Sequence, residues 1–385
     1  MFGFKKKKKP ESQAEPAGEA KKAKAAPLPD RKVKDAPPYL NSQEVRQDIK
    51  KGKKASPHDR LKDAISGALY GMAVGDALGA PVEHMPPAAI VEKYGRVSSM
   101  IAGGWLNLKP GETTEETNTM LLVAKGITSN MDFPIPAVGR RFLRWMENKP
   151  RTADETFKSA VELALKNAEL MLPSVESQIF PESIWYGAAQ QIAAEGKPLG
   201  NNALPRALYA PLFYETKKRA VEVSILQGQM THWDNDSVEA CRVYSEVLCA
   251  IIADDKKMSP KNDGQMRTEL AKLLAPTRFN LNDMPATMEK MMADHPEGAP
   301  SDPCATLLCA LFSFFTTTNA REALEVAVNM GGDADGVGAV CGGLVGAYYG
   351  YNNLPLDWVS VLDLSLAKRL NTVAKEALAN QTSAH

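Results

Sequence analysis

Apolar residues return along this chain with the period of a helix and almost nowhere with the period of a strand. From Leu61 onward, Ala64, Ile65, Ala68, Leu69, Met72 and Ala73 fall on the i, i+3, i+4 spacing of an amphipathic helix. The run continues through Gly75-Asp76-Ala77-Leu78-Gly79-Ala80 and stops at Pro81, whose ring and missing N–H end a helix. The same spacing predicts helices over 136–148, 154–172, 182–194, 217–229 and 238–253. It also predicts a strongly apolar helix over 304–315, a short one over 320–328 behind Asn319 as cap, and a C-terminal amphipathic helix over 358–377. Residues 255–300 are polar and leave room for one or two short helices. No segment alternates convincingly, so the expected fold class is all-α, a compact multi-helix bundle.

Two polar stretches stand out against this background. In Glu112-Thr113-Thr114-Glu115-Glu116-Thr117-Asn118-Thr119 the front is acidic, and from Met120 on the chain is apolar and helical. Thr113 or Thr114 can cap that helix with the glutamates in its first turn. Alternatively, the carboxylates form one half of a cation site. The second stretch, Asn329-Met330-Gly331-Gly332-Asp333-Ala334-Asp335-Gly336-Val337-Gly338, sets two aspartates one residue apart behind a Gly-Gly pair. Carboxylates at i and i+2 do not share a helix face. In a turn entering a helix, however, both can converge on a hard cation such as Mg²⁺. The competing reading makes Asp333 an N-cap and leaves Asp335 in the first turn against the helix dipole.

Behind Asp335, Gly338, Gly342, Gly346 and Gly350 recur every four residues. On a helix they make one face without side chains, where another helix or a ligand can lie at close range. The G-x-x-x-G pattern also packs membrane helices, but the apolar stretch 337–349 is too short to span a bilayer. A buried soluble helix is expected, and no membrane span.

Composition alters this picture at one end only. Of 385 residues 44% are apolar and 24% charged, which suits a full core, and the formal net charge is zero. Residues 1–62 nevertheless carry 18 Lys/Arg against 8 Asp/Glu, so the remainder carries 28 against 38. Residues 1–55 read as a disordered basic arm available to an anionic partner, and 56–385 as one folded domain. The five cysteines form no C-x-x-C pair, and no apolar segment follows Lys5–Lys9 as a secretory signal would require. A cytoplasmic protein with reduced, buried thiols is expected, and a monomer.

Five stretches in order resemble the ADP-ribosylglycohydrolase family, which includes the dinitrogenase-reductase-activating glycohydrolases. Residues 67–83, G-A-L-Y-G-M-A-V-G-D-A-L-G-A-P-V-E, are similar to its opening motif. Residues 110–124 resemble its P-G-x-W-T-D-D-T segment, and 329–350 its G-G-D-x-D-[TS] segment with the small-residue helix behind it. Gly200 to Arg206 resembles its G-N-G-x-x-M-R loop, and Thr231-His232 its T-H pair. The resemblance implies a cleft with two Mg²⁺ or Mn²⁺ ions, ligated by Thr114, Glu115, Glu116, Asp333 and Asp335. It further implies a substrate carrying ADP-ribose on a protein side chain, or a related ADP-ribosyl compound. Glu115 and Glu116 become the catalytic carboxylates, and Glu83, Asn202, His232 and Gly332 the substrate contacts.

The chain also departs from that pattern. T-D-D-T is T-E-E-T here, and Gly336 stands where the family has a hydroxyl ligand, which leaves the second ion one ligand short. Pro150-Arg151-Thr152-Ala153-Asp154 lacks an aspartate at the spacing of the family's P-x-D-I-G. Three functions are compatible with this: a metal-dependent ADP-ribosylglycohydrolase, a weakened member that binds ADP-ribose or a partner protein as a regulatory or immunity factor, and a hydrolase of another ribosyl compound.

Overall fold

A computed structural model describes residues 55–196, 199–257, 259 and 261–383. The expected basic arm therefore lies outside the described residues, Ala55 excepted. Among the described residues seventeen α-helices succeed one another: α1 (Pro57–Gly79), α2 (Pro87–Tyr94), α3 (Glu115–Ser129), α4 (Pro134–Glu147), α5 (Glu155–Met171), α6 (Glu182–Ala193), α7 (Ala203–Arg206), α8 (Tyr209–Phe213) and α9 (Lys217–Gln229). Then come α10 (Asn235–Asp255), α11 (Asp263–Leu274), α12 (Met284–Asp294), α13 (Pro303–Phe315), α14 (Ala320–Val328), α15 (Ala334–Tyr349), α16 (Leu356–Val359) and α17 (Leu364–Thr382). Among the described residues there is no strand. Two isolated bridges occur, Gly103 with Leu108 and Ala299 with Gly332.

Side-chain caps fix most of the helix starts. Ser56, Asp154, Asp234, Asp302 and Asn319 each accept from the backbone N–H three residues on. The C-terminal segment is broken, contrary to the single helix expected over 358–377. After α16 the chain turns, and Asp363 restarts it by accepting from the amides of Ser365 and Leu366. Trp358 is buried in α16, with the Arg321 guanidinium 4.3 Å from its ring centroid. Residues 87–94, not foreseen as a helix, form α2 behind Pro86-Pro87.

The centre of the molecule is an antiparallel pair, α1 against α15. Every residue of α1 from Ala64 to Gly79 is buried, as is every residue of α15 from Ala334 to Ala347. Both helices present glycine every four residues: Gly67, Gly71, Gly75 and Gly79 on α1, and Gly338, Gly342 and Gly346 on α15. The backbones touch there. A Cβ placed on Gly67, Gly71 or Gly75 would stand 2.1, 2.2 and 1.8 Å from the carbonyl oxygens of Gly346, Gly342 and Gly338. The occupant of the glycine face is thus another helix of the same chain. Gly350 ends α15 at φ +81° and carries the contact one turn further, against Asp63 of α1, with its carbonyl carbon 2.7 Å from a Cβ placed on Gly67.

This pairing positions the site. Because the helices run antiparallel, the C-terminal end of α1, with Asp76 and Glu83, meets the N-terminal end of α15, with Asp333 and Asp335. The start of α3 is pinned to the same place by Asp76. One oxygen of that aspartate accepts from the Thr114 N–H and hydroxyl at 2.9 and 3.0 Å, and the other from the Thr117 N–H and hydroxyl at 3.0 and 2.6 Å.

All five cysteines are buried and free of disulfides. No helix among the described residues is long and apolar enough to cross a membrane.

Candidate active site

Where the three helix ends converge lies a cleft of about 650 Å³. Among the described residues eight carboxylates line it, from Glu83, Glu115, Glu116, Asp154, Glu155, Glu297, Asp333 and Asp335, and no lysine or arginine does. In water such a cluster would be a solvated patch. Here Glu116 and Asp335 are 5% and 3% exposed. Burial, followed by repulsion from neighbouring carboxylates, holds both well above the ordinary carboxylate range. Asp333 is raised well above it too, by burial first, and Glu83 is pushed up to about 7 by burial and then by Glu115 and Asp76.

The residues expected at the site divide into two groups. Glu83, Glu115, Glu116, Asp333, Asp335 and Gly332 all line the cleft. Thr114, Asn202 and His232 are not among its lining residues; each stands behind the wall and holds something in place. Thr114 caps α3, and its N–H and hydroxyl both go to Asp76. Asn202, 1% exposed, donates its amide to both Glu116 oxygens at 3.2 Å. It therefore positions a carboxylate that lines the cleft. His232 is fully buried, with Nε2 3.4 Å from Asp154 Oδ1 and Nδ1 2.8 Å from the Thr231 hydroxyl. It likewise stands behind a cleft carboxylate, that of Asp154. Gly332 does line the cleft, but its N–H already donates to Met85 O at 3.0 Å. That amide is not available to a phosphate; what Gly332 offers is a wall without a side chain at φ +62°.

The side chain of Asp333 does not act as the cap of α15. Asp333 occupies the N-cap position of α15 but makes no side-chain cap hydrogen bond. Its Oδ2 instead accepts from Asn201 Nδ2 at 2.5 Å and from the Thr306 hydroxyl at 3.5 Å. It lies across Gly336, where a Cβ would meet it at 2.3 Å. The space of the missing hydroxyl ligand is therefore filled by Asp333 itself. No described residue hydrogen-bonds the Asp335 carboxylate.

Two further acidic residues matter that motif spacing does not single out. Asp76 anchors α3 through Thr114 and Thr117. Asp154, four residues after Pro150 and off the spacing of P-x-D-I-G, brings its carboxylate to the cleft. The reason is local: Asp154 caps α5 through the Phe157 N–H at 2.7 Å, so its place is fixed by the helix start and not by its distance from the proline. Burial pushes Asp154 up, but His232, the Phe157 amide and Arg206 outweigh it and hold it below the usual range. Arg206 is the buried counter-charge. It is fully buried over the Phe142 and Phe157 rings and donates to Asn202 O at 2.9 Å and the Thr231 hydroxyl at 2.7 Å. Burial lowers it only to about 10, so it stays charged at neutral pH. The glycine-loop and T-H motifs thus converge on one arginine that serves both Asn202–Glu116 and His232–Asp154.

A hard divalent cation fits this donor set. The oxygens are carboxylates, those of Glu116 and Asp335 are buried, no lysine or arginine among the described residues lines the cleft, and their mutual repulsion is what a bound ion would relieve. Among the described residues the acidic side chains whose ligand atoms already lie within 4.8 Å of one another are not those of the cleft but Asp236 and Glu239, with Cys304. Arg278 already pairs with Asp236 and Glu239, each at 2.9 Å.

The raised carboxylates make stability depend on pH. In the metal-free protein Asp76, at about 6, and Glu83, at about 7, hold their protons more tightly folded than unfolded. Their contribution is greatest below the unfolded carboxylate range near pH 4 and is lost as pH rises through 6 to 7. Thermal unfolding in a chelator should therefore show a lower Tm at pH 7.5 than at pH 5, and Mn²⁺ should reduce the difference. A Tm that rises with pH in the chelator would contradict this.

An all-helical scaffold with a carboxylate cleft is the class that fold and site define. The ADP-ribosylglycohydrolase family model matches residues 57–384, and the chain belongs to that family. It is 27% identical over 326 residues to the ADP-ribosyl-[dinitrogen reductase] glycohydrolase of Rhodospirillum rubrum, covering 84% of this chain and 97% of that protein. It is 27% identical over 318 residues to the ADP-ribosylarginine hydrolase Tri1 of Serratia proteamaculans, covering 80% of this chain and 77% of that one. Among solved structures, an ADP-ribosylglycohydrolase-related protein complex matches with a TM-score of 0.64 and 26% identity, over 84% of this chain and 99% of that one.

Proposed function

We propose that this protein hydrolyses the glycosidic bond joining ADP-ribose to a protein side chain, with the side chain an arginine as in the relative named for ADP-ribosylarginine. The observation that carries the reading is the carboxylate cleft at the α1–α15 junction, which holds eight acidic side chains and, among the described residues, no lysine or arginine. Glu115, Glu116, Asp333 and Asp335 would hold divalent cations, Mg²⁺ or Mn²⁺, with Thr114 fixing the start of the helix that carries the glutamates. When bound, such ions supply an acidified water and a grip on ribose hydroxyls.

The remaining residues divide the work. Asp154 is the cleft carboxylate held ionised by His232 and Arg206, which suits it to take a proton from water attacking the ribose C1″. With Glu115 and Glu116 engaged as ligands, Asp154 is a better base than either. Asn202 and Asn201 keep Glu116 and Asp333 from turning away from the cleft. The transition state is oxocarbenium-like, so a wall of carboxylates also favours the charge that develops.

One observation favours a second reading, a weakened member that binds without turnover: Asp333 lies over Gly336 in the space of the missing hydroxyl. A single assay separates the two. Incubated with an ADP-ribosyl-arginine protein and Mg²⁺ or Mn²⁺, a hydrolase releases ADP-ribose, and a chelator stops the release. Tight binding without release supports the second reading.

A further inference from the structure

Trp105 is 56% exposed, yet it lines the cleft and is held rigidly there. It sits in the four-residue turn between Gly103 and Leu108, whose backbones exchange hydrogen bonds at 2.9 and 2.8 Å. Gly103 and Gly104 take φ of +116° and +71°, and a Cβ on Gly104 would lie 2.9 Å from Pro81 Cα, so the turn is seated on the end of α1. Arg151 ties it to the opposite side of the cleft by donating to Leu106 O. The indole edge is occupied: Nε1 donates to Glu83 Oε2 at 2.7 Å, and the other Glu83 oxygen lies 3.4 Å from His84 Nε2. The His84 ring is 5.5 Å from the indole and tilted by 34°. More than half of Trp105 nevertheless stays exposed, beside an aimed carboxylate, at the mouth of a cleft lined by acids.

A surface of that kind selects a flat cation. An indole face attracts a guanidinium more strongly than any other side chain does, and a neighbouring carboxylate supplies the charge partner. We infer that Trp105 is the specificity contact for the modified side chain: its exposed face takes the arginine guanidinium carried by the substrate while its N–H aims Glu83. The inference rests on the function proposed above and adds to it the residue that reads the linkage.

The test uses the full chain with Trp105→Ala and Trp105→Phe, both tolerable at an exposed position. With an ADP-ribosyl-arginine peptide, Trp105→Ala should raise KM about ten-fold and Trp105→Phe less than about three-fold, because the aromatic face survives in the second. The inhibition constant of free ADP-ribose should stay the same in both. An unchanged KM in Trp105→Ala overturns the assignment. So does a parallel weakening of ADP-ribose, which would put the adenine on the indole. Equal losses in the two variants also overturn it, since the N–H alone would then matter. If the wild-type protein releases no ADP-ribose, the hydrolase reading has failed, and calorimetric binding of the same peptide decides on Trp105 separately. A ten-fold weaker Kd in Trp105→Ala then supports the contact, and an unchanged Kd overturns it.

Discussion

Gly342→Ala is expected to destabilise the protein by more than about 3 kcal/mol, although alanine is the better helix former by about 1 kcal/mol. The added methyl would stand 2.0 Å from Gly71 O and 2.6 Å from Gly71 C. Those are backbone atoms of the facing helix and cannot rotate aside, so α1 and α15 must separate along their length. Gly187→Ala is the control. Gly187 lies within α6, and nothing comes within 4 Å of a Cβ built there. Its replacement should stabilise by up to about 1 kcal/mol. Urea midpoints of the two variants moving in opposite directions would bear out the packing; a Gly342→Ala midpoint equal to wild type would refute it. The glycine contacts also have a functional side. Since α1 leads directly into Glu83 and α15 carries Asp335 behind Asp333, parting the helices widens the cleft, and the affinity for divalent cations should fall in any Gly342→Ala protein that still folds.

The glycine face shows how far the sequence is legible. A four-residue glycine spacing in 338–346 states that something approaches the helix closely, and the matching spacing in 67–79 lies within plain sight of it. Periodicity alone does not pair one helix with another; the pairing is a tertiary fact. Helix bounds are readable where an apolar stripe is flanked by a capping residue, as at Asn319 for α14. They mislead at 358–377, where the apolar spacing carries on across a turn that Asp363 restarts. At the site, the acidic residues that stand in loops at helix starts are visible as chemistry. The residues behind them are harder to place in depth. Asn202 and His232 look like substrate contacts in sequence because a polar residue in a motif carries no mark of its burial. In the fold each is buried against Glu116 or Asp154. Asp154 escapes a motif reading for the converse reason: its role comes from capping α5, and a cap tolerates a change in loop length that motif spacing does not.

Asp335→Asn should separate the site's stability from its function. The wild-type carboxylate is buried among Glu83, Asp333, Glu116 and Asp76, and burial and repulsion together hold it well above its ordinary range. An amide of the same shape removes one charge from that crowd, and its N–H groups find acceptors in the surrounding carboxylates. In a chelator at pH 7.5 the variant is therefore expected to melt slightly higher than wild type, since relief of about 1 kcal/mol moves Tm by roughly 1.5 °C in a chain of this size. Metal binding runs the other way. An uncharged amide oxygen is a poor substitute for a carboxylate toward a hard cation. The rise in Tm on adding Mn²⁺ should shrink, and ADP-ribose release should drop by on the order of 10²-fold or more, a loss of roughly 3 kcal/mol of transition-state stabilisation. Asp333→Asn should behave differently in the chelator, because its carboxylate accepts from Asn201 and an amide can meet that donor with only one of its ends. A chelator Tm for Asp335→Asn below that of wild type, with the Mn²⁺ shift intact, would mean that Asp335 is a structural acid of the helix start and that the ions are held elsewhere.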